Sequence, residues 1–176
     1  MSPPSEQASY AHIPTTVSRE AQEFLRILKD PALMPAFPEP TDLSGWNKLQ
    51  ALAEADAKAK SEPLLKRYEH TVSEGKLGRV PVLDVRPKRW KDNGKALVYT
   101  HSGGRVMYSA ASMLGRAVVA AHETGLRVIS VRLHARTPRQ VQPDVRPGRR
   151  VIQEFLKQGQ RFQDTAIYGD SSGGGD

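Results

Sequence analysis

The chain has 176 residues, of which 38% are hydrophobic, and its formal net charge is +7. This length fits one domain, or one domain with a small appendage. The sequence contains no cysteine, which excludes a disulfide framework, a thiolate metal site and a cysteine nucleophile. No run of about 18 apolar residues is present, and the polar N-terminus has no signal-peptide core. We therefore expect a cytoplasmic protein without a membrane span.

The positive charge is distributed unevenly along the chain. Between Arg127 and Arg150 there are seven arginines and a single acidic residue, Asp144, without any Phe, Tyr or Trp. Such a surface could bind nucleic acid or another polyanion. Because this region does not lie on an obvious amphipathic helix, a solvated surface is the favoured interpretation and nucleic acid is not expected as a partner. Residues 132–148 are predicted to be among the least ordered segments.

The first third of the chain predicts helices joined by a proline-rich linker. Residues 1–17 are predicted to form a flexible arm, and Ser18 is predicted to cap the first helix. A second helix is expected from about residue 44 to 60, and Pro63 is expected to lie in the first turn of a short third helix ending at Tyr68. The first helix is predicted from apolar residues spaced i, i+3, i+4 and i+7, namely Ala21, Phe24, Leu25 and Leu28.

From about residue 70 the pattern changes to strands that alternate with helices. Strands are predicted over 80–85, 95–100, 126–131 and 165–168, with helices over 109–123 and around 151–156. The turn between the first two strands is predicted at Asp92-Asn93-Gly94. Strands separated by helices favour a parallel sheet with right-handed crossovers. The fold class is therefore α/β, and we predict that Ala96–Thr100, Leu126–Val131 and Thr165–Tyr168 are parallel neighbours.

A G-x-S-x-G pattern directly follows the last predicted strand: Gly169-Asp170-Ser171-Ser172-Gly173. A serine nucleophile at the tip of a strand-to-helix turn has strained backbone angles, and side chains two residues to either side would collide. The small residues here suit that turn. The alternative is a flexible glycine–serine segment without a function.

A second glycine-rich pattern, His101-Ser102-Gly103-Gly104, directly follows the strand over 96–100. A turn of this kind can direct backbone N–H groups at a developing oxyanion, although it can also be a simple glycine turn. The two patterns are separated by a predicted strand, helix, strand, helix and strand. An α/β-hydrolase requires its oxyanion loop and its nucleophile in this order.

With these motifs the chain resembles the N-terminal half of an α/β-hydrolase of the hormone-sensitive lipase type, a group of carboxylesterases and lipases. The resemblance implies an N-terminal arm and cap helices over 1–69. It also implies the first part of the hydrolase core over 70–176, ending at the nucleophile elbow. The segments that carry it are Asp84-Val85-Arg86-Pro87, Val98–Gly104, Thr124–Val131 and Tyr168–Gly174.

The resemblance also implies roles for individual residues. Ser171 would be the nucleophile, and the N–H groups of Ser102, Gly103 and Ser172 would form the oxyanion hole. Asp170 would have no triad role. The substrate would be a short-chain carboxylic ester, and neither a cofactor nor a metal is expected. The remaining motif residues are His101, Gly104, Gly169, Gly173 and Gly174.

Several features depart from the pattern of this family. Ser102 stands in place of a glycine and Arg105 in place of an aromatic residue. The acid and histidine of the triad follow the serine in this family, whereas here only residues 172–176 follow Ser171. The expectations are therefore a C-terminally truncated chain of doubtful activity, an inactive homologue as the alternative, and an open sheet that pairs with a second copy or a capping partner. None of the five histidines stands where the base would be: His12, His70, His101, His122 and His134.

Overall fold

The computed structural model describes residues 12–28, 30–132 and 147–175. These residues form two compact units, one ending at Phe37 and the other beginning at Pro38. The segments predicted to be least ordered, 1–17 and 132–148, lie mostly outside the described residues. Within the described ranges no helix is long and apolar enough to cross a membrane.

Among the described residues, four helices and five strands make up the regular structure. Helix α1 belongs to the first unit and all other helices and strands to the second. Short 3-10 turns occur at Pro31–Leu33, Phe162–Asp164 and Ser171–Gly175. In chain order the elements are α1 Arg19–Ile27, α2 Leu43–Arg67, β1 His70–Leu77, β2 Val80–Pro87, β3 Ala96–Thr100, α3 Leu114–Thr124, β4 Arg127–Val131, α4 Pro147–Lys157 and β5 Thr165–Gly169.

Helix α1 begins where its cap was predicted. The Ser18 hydroxyl accepts a hydrogen bond from the N–H of Ala21, which satisfies one of the free donors at the helix start. None of the residues of α1 is buried, and the exposed fraction of Phe24 is 60%. The apolar spacing therefore predicted the helix correctly, but the unit that contains it does not bury the apolar side chains.

The prediction of two helices between residues 44 and 68 was wrong, because α2 is continuous from Leu43 to Arg67 with Pro63 inside it. Proline lacks an N–H and leaves the carbonyl four residues earlier, here that of Ala59, without its helical donor. Both Ala59 and Pro63 are exposed, so water can hydrate that carbonyl. Because Ala57 and Ser61 of the same helix are buried, tertiary packing keeps the helix intact across the proline.

Helix α3 starts five residues later than predicted, at Leu114. The N–H of Ser109 donates to the Ser112 hydroxyl, and the N–H of Ser112 donates to the Ser109 hydroxyl, each at 3.1 Å. Such side-chain bonds compete with regular helix and favour a turn before the first helical residue. The predicted end is confirmed, since Gly125 caps the helix in the left-handed conformation with φ 69°.

The strands form a single sheet of order β1-β2-β4-β3-β5. Strand β3 pairs in parallel with β4 and with β5, which confirms the three strands that were predicted as parallel neighbours. Strand β2 pairs antiparallel with β1 and with β4. The turn at 92–94 is present, with the Gly94 N–H donating to Asp92 Oδ1 at 2.9 Å. It does not form a hairpin, because β4 lies between β2 and β3.

Strand β1 was not predicted from the sequence. Only Leu77 of its eight residues is buried, so the strand lacks the apolar alternation by which strands are recognised. Its hairpin with β2 turns through Gly78 and Arg79, and Gly78 has φ 58°. A glycine at the first position of a two-residue turn was the available signal.

Each face of the sheet carries its own apolar core. Helices α2 and α3 cover one face, where Val85, Tyr99 and Val128 pack against Ala117 and other residues of α3. Helix α4 covers the other face with Val151, Ile152 and Phe155, as its apolar spacing predicted. The helices therefore cover both faces of β3, whose carboxyl end carries the first glycine motif, whereas β5 is mostly exposed.

Two arginines of the basic region between Arg127 and Arg150 form ion pairs within the second unit, which begins at Pro38. Arg127 Nε lies 3.0 Å from the buried carboxylate of Asp84, which Arg86 also contacts at 2.8 Å. Arg132 contacts Glu74 at 2.8 Å. These two positive charges are therefore partly neutralised within the molecule.

Candidate active site

The two glycine motifs meet at the carboxyl edge of the sheet, where β3 and β5 end side by side. Thr100 and Gly169 are paired in the parallel register. The hydroxyl of Thr100 donates a buried hydrogen bond of 2.6 Å to the carbonyl oxygen of Gly173. The residue just before His101 therefore holds the turn that contains Ser171.

Gly169 and Gly173 lack side chains at a point where the backbone leaves no room for them. A Cβ atom on Gly173 would lie 2.1 Å from the carbonyl oxygen of Thr100. One on Gly169 would lie 2.6 Å from both the backbone of Gly173 and the Thr100 hydroxyl. The steric reason inferred from the G-x-S-x-G pattern is confirmed, because the two glycines around Ser171 contact each other.

Ser171 has the strained backbone of a residue at the tip of a tight turn. Its φ is 53°, in the left-handed region that non-glycine residues rarely adopt. The residue is exposed and opens the 3-10 turn Ser171–Gly175. The N–H of Gly173 donates to the carbonyl of Asp170 at 3.0 Å and closes the turn. The hydroxyl of Ser171 is thus presented on an exposed tip directly after a strand.

Asp170 is held on both carboxylate oxygens. Oδ1 accepts a hydrogen bond of 2.9 Å from the hydroxyl of Tyr99, and Oδ2 pairs with Arg116 at 2.5 Å. Tyr99 stacks on Tyr168 with 4.7 Å between the ring centroids. Burial, followed by the hydrogen bond to Asp170, raises the pKa of Tyr99, and burial likewise raises the pKa of Tyr168. Both tyrosines therefore stay neutral, and Asp170 acts as an anchor for the turn.

The loop after β3 folds back on Gly103. The N–H groups of Val106 and Met107 both donate to the carbonyl oxygen of Gly103, at 3.0 and 2.9 Å. Gly103 is buried with φ 119°, and a Cβ atom there would lie 2.2 Å from the carbonyl oxygen of Met107. His101 is buried, with Nδ1 2.7 Å from the carbonyl oxygen of Ser102. Only glycine fits at position 103 of this turn.

The remaining predicted site residues lie on the same two segments. Ser102 is half-buried, and Gly104 is exposed with φ 61°. The Ser172 hydroxyl is buried and has no hydrogen-bond partner among the described atoms. Gly174 is exposed, and a Cβ atom there would make only ordinary van der Waals contacts. The convergence of the N–H groups of Ser102, Gly103 and Ser172 on one oxyanion stays a prediction.

The described histidines of the second unit contact groups other than Ser171. His70 Nδ1 lies 2.6 Å from the carbonyl of Tyr68, and the ring of His122 lies 4.6 Å from that of Tyr68. His122 lies in the last turn of α3, as predicted for an ordinary helix-terminal histidine. Within the described ranges no three His, Asp or Glu side chains are grouped as metal ligands. His134 lies outside the described residues.

Three residues around the site were not singled out from the sequence. Thr100 and Tyr99 were noted as members of a strand and of a segment that carries the resemblance, but without a role of their own, although a polar residue at a strand's carboxyl end is a signal for a site in an α/β sheet. Arg116 lies on α3 and reaches Asp170 across 54 positions of sequence. No local pattern predicts that contact.

A mixed sheet covered by helices on both faces, with a strained serine shortly after a strand, is typical of α/β-hydrolases. Solved structures of this class match the chain. The esterase E25 has a TM-score of 0.67 and 20% identity over 92% of this chain. EstE5, in its structure with PMSF, has a TM-score of 0.64 and 26% identity over 90%. EstE7, a homologue of hormone-sensitive lipase from a metagenome library, has a TM-score of 0.55 and 20% identity over 80%.

These matches confirm the resemblance read from the motifs: the chain has the α/β-hydrolase fold of esterases of the hormone-sensitive lipase type. It spans about half of their length, 50% for E25 and EstE5 and 49% for EstE7. No protein-family model matches the sequence. No curated protein matches it either.

Proposed function

We propose that this chain is the nucleophile-bearing part of a carboxylic ester hydrolase that acts on short-chain esters through Ser171. The observation that carries the proposal is the left-handed backbone of Ser171, with φ 53°, two residues after the end of β5 and beside the loop that follows β3. Serine tolerates this conformation poorly, and such strain persists where surrounding contacts impose it, often at sites of function.

In the proposed reaction the Ser171 hydroxyl attacks the carbonyl carbon of the ester. A base takes the hydroxyl proton as the O–C bond forms, and the carbonyl oxygen becomes an oxyanion. Collapse of this intermediate breaks the bond to the alcohol, which leaves with a proton, and the acyl group stays on Ser171. Water then attacks the acyl-enzyme, and the acid is released with Ser171 regenerated.

The proposed oxyanion donors are the N–H groups of Ser102, Gly103 and Ser172. Gly103 is fixed by two hydrogen bonds to its carbonyl oxygen, and the turn of Ser172 is tied to β3 through Thr100. Fixed donors stabilise a developing negative charge without having to reorient during the reaction. The contact between the two segments at Thr100 and Gly173 supports this assignment.

We further propose that the chain by itself turns over esters slowly. His70 and His122 lie against Tyr68, and both oxygens of Asp170 are engaged by Tyr99 and Arg116. A serine hydroxyl without a neighbouring base is a weak nucleophile at neutral pH. Labelling of Ser171 by a fluorophosphonate probe is accordingly expected to be weak.

Chemical rescue tests the proposal. Hydrolysis of p-nitrophenyl acetate is measured with increasing imidazole, which can serve as an external base. We expect the wild-type rate to exceed that of Ser171→Ala by a margin that grows with imidazole concentration. Ser73→Ala makes the same change at an exposed position of β1, at the other edge of the sheet, and is the matched control that should behave as wild type. Equal rates for wild type and Ser171→Ala at every imidazole concentration would refute the proposed role of Ser171.

A strand partner for the open edge of the sheet is also proposed. Among the described residues β5 pairs only with β3, and its sequence, Thr165 to Gly169, has no charged residue. Ile167 at its centre is 56% exposed. An unpaired, uncharged edge favours pairing with another strand, supplied by a second copy or by a capping partner.

A further inference from the structure

Helix α2 contacts the loop that carries the proposed oxyanion donors. The side-chain amide of Gln50 donates a partly buried hydrogen bond of 2.7 Å to the carbonyl oxygen of Val106. Val106 in turn donates its N–H to the carbonyl oxygen of Gly103 at 3.0 Å. Two hydrogen bonds that share Val106 therefore connect Gln50 to the backbone of Gly103, which lies 53 positions later in the sequence.

The loop that Gln50 contacts has a strained backbone. Arg105 and Tyr108 both have left-handed φ angles, 65° and 67°, and they lie on either side of the segment that contains Val106. Side chains other than glycine disfavour this conformation, so it persists only where neighbouring contacts hold it. The bond to the Val106 carbonyl lies between the two strained residues.

Glu54, one helical turn after Gln50, holds the far end of the same loop. Its carboxylate accepts hydrogen bonds from the hydroxyls of Ser109 and of Ser112, the latter at 2.8 Å. Residues four apart on a helix lie on the same face. Gln50 and Glu54 thus form hydrogen bonds with the loop at two points, one on either side of Tyr108.

We propose that Gln50 is a positioning residue: its amide, through Val106, holds the Gly103 N–H in the orientation that an oxyanion needs. Glu54 supports it by fixing the serines at the end of the loop. Gln50 does not touch the reacting atoms in this scheme. The inference rests on the proposed function, because it assumes that Gly103 is an oxyanion donor.

The variant that tests the donor is Gln50→Glu, which keeps the shape of the side chain but replaces the N–H donor with an acceptor. At pH 7 we expect amides of the 102–107 peptide to exchange with deuterium about fivefold faster than in wild type, the effect of one lost hydrogen bond. At pH 4 a protonated glutamic acid can donate again. The exchange ratio to wild type at the same pH should therefore return toward one.

Gln153→Glu is the matched control, since it makes the same chemical change at an exposed position of α4. It should leave exchange of the 102–107 peptide unchanged. Unaltered exchange in Gln50→Glu at pH 7, an equal rise in both variants, or a ratio that does not recover at pH 4 would each overturn the assignment of Gln50 as the donor that holds the loop.

A second measurement separates this inference from the proposed function. If Ser171 is the nucleophile, Gln50→Glu should lower the imidazole-dependent kcat about fivefold with KM unchanged, because an oxyanion donor acts in the transition state. Faster exchange with an unchanged kcat would overturn the link to the oxyanion. A wild-type rate independent of Ser171 would refute the proposed function, while the exchange result would still decide whether Gln50 holds the loop.

Discussion

At the scale of single residues, the site depends on glycines, which have no Cβ atom. Gly169 and Gly173 allow β5 and the turn after it to approach Thr100 more closely than any side chain permits. Neither of these two glycines has a left-handed φ. Their role is therefore steric, whereas Gly103 combines a close approach with φ 119°.

We expect Gly173→Ala to detach the Ser171 turn from β3. Its Cβ atom would lie 2.1 Å from the carbonyl oxygen of Thr100, so the turn must move and the bond from the Thr100 hydroxyl is lost. The free energy of unfolding should fall by about 1 kcal/mol, the value of one hydrogen bond, as measured by urea denaturation. Gly175→Ala in the same turn has open space around it and should be neutral. A similar loss in both variants would contradict the steric explanation.

The stacked pair Tyr99 and Tyr168 contains one satisfied and one unsatisfied hydroxyl. Tyr99 donates to Asp170, whereas the buried hydroxyl of Tyr168 has no hydrogen-bond partner among the described atoms. Tyr99→Phe should lower the free energy of unfolding by about 1.5 kcal/mol at pH 7, since the lost bond is to a charged group. Tyr168→Phe should be neutral or stabilising. The order of the two variants in urea denaturation is the test, and the reverse order would contradict it.

The same tyrosines predict how stability depends on pH. Burial raises the pKa of each in the folded protein above the ordinary value of 10.0. The unfolded chain therefore loses these protons at lower pH than the folded chain. The stability that these two tyrosines contribute is fully present below about pH 10 and is lost as the pH rises above it.

Tyr99→Phe removes one of the two groups, so its unfolding free energy should fall less steeply above pH 10. The slope should differ from wild type by up to about 1.4 kcal/mol per pH unit. Urea denaturation of both proteins between pH 9 and 11 measures this, and the remaining titrating groups are common to both. Parallel curves would show that burial of Tyr99 does not raise its pKa.

At the scale of elements, α2 shows tertiary packing overriding a local helix breaker. The helix is continuous because buried contacts of Ala57 and Ser61 outweigh the donor that Pro63 lacks. The hydroxyl of Ser61 donates to the carbonyl of Ser112 at 2.5 Å and accepts from the N–H of Gly115. Helix α2 is thus joined to α3 and to the segment just before it by hydrogen bonds as well as by apolar contacts.

Pro63→Ala should stabilise the protein by about 2 kcal/mol. The change restores an N–H to an exposed helical position, where proline costs about 3 kcal/mol relative to alanine, and the greater freedom of the unfolded chain offsets part of the gain. Glu62→Ala at the exposed neighbouring position should change stability little. Thermal and urea denaturation measure both. A loss of stability in Pro63→Ala would mean that the proline is better suited to this helix than its missing donor implies.

At the scale of the whole molecule, the two edges of the sheet differ in chemistry. Edge strand β1 carries Glu74 and Lys76, and charge on an edge discourages pairing with other strands. Edge strand β5 has no charge and exposes Ile167. Association through the sheet is therefore expected at β5.

Ile167→Lys should reduce concentration-dependent association, because a charge on the edge opposes strand pairing. Gln163→Lys adds the same charge at an exposed position outside the strand and should have little effect. Sedimentation velocity over a range of protein concentrations compares the two variants with wild type. If both lysines reduce association equally, net charge rather than edge pairing is responsible.

Predictions from the sequence were most accurate where the deciding interactions are local. The Ser18 cap, the left-handed Gly125 and the parallel strands each follow from neighbouring residues or from a short apolar pattern. The prediction failed for β1, whose exposed face leaves no apolar alternation, and for the break at Pro63. In both cases contacts with distant parts of the chain decided the structure.

By itself the sequence determined the fold class, the two glycine motifs and their order, because strand alternation, glycine sterics and element order are properties of the linear chain. Only the tertiary structure decided what surrounds the motifs. Gln50 and Glu54 form hydrogen bonds with the 103–112 loop, and Tyr99 and Arg116 hold the carboxylate of Asp170. All of these contacts join residues more than 50 positions apart in the sequence. Such contacts depend on how helices pack on the sheet, and no pattern within a short window of sequence encodes them.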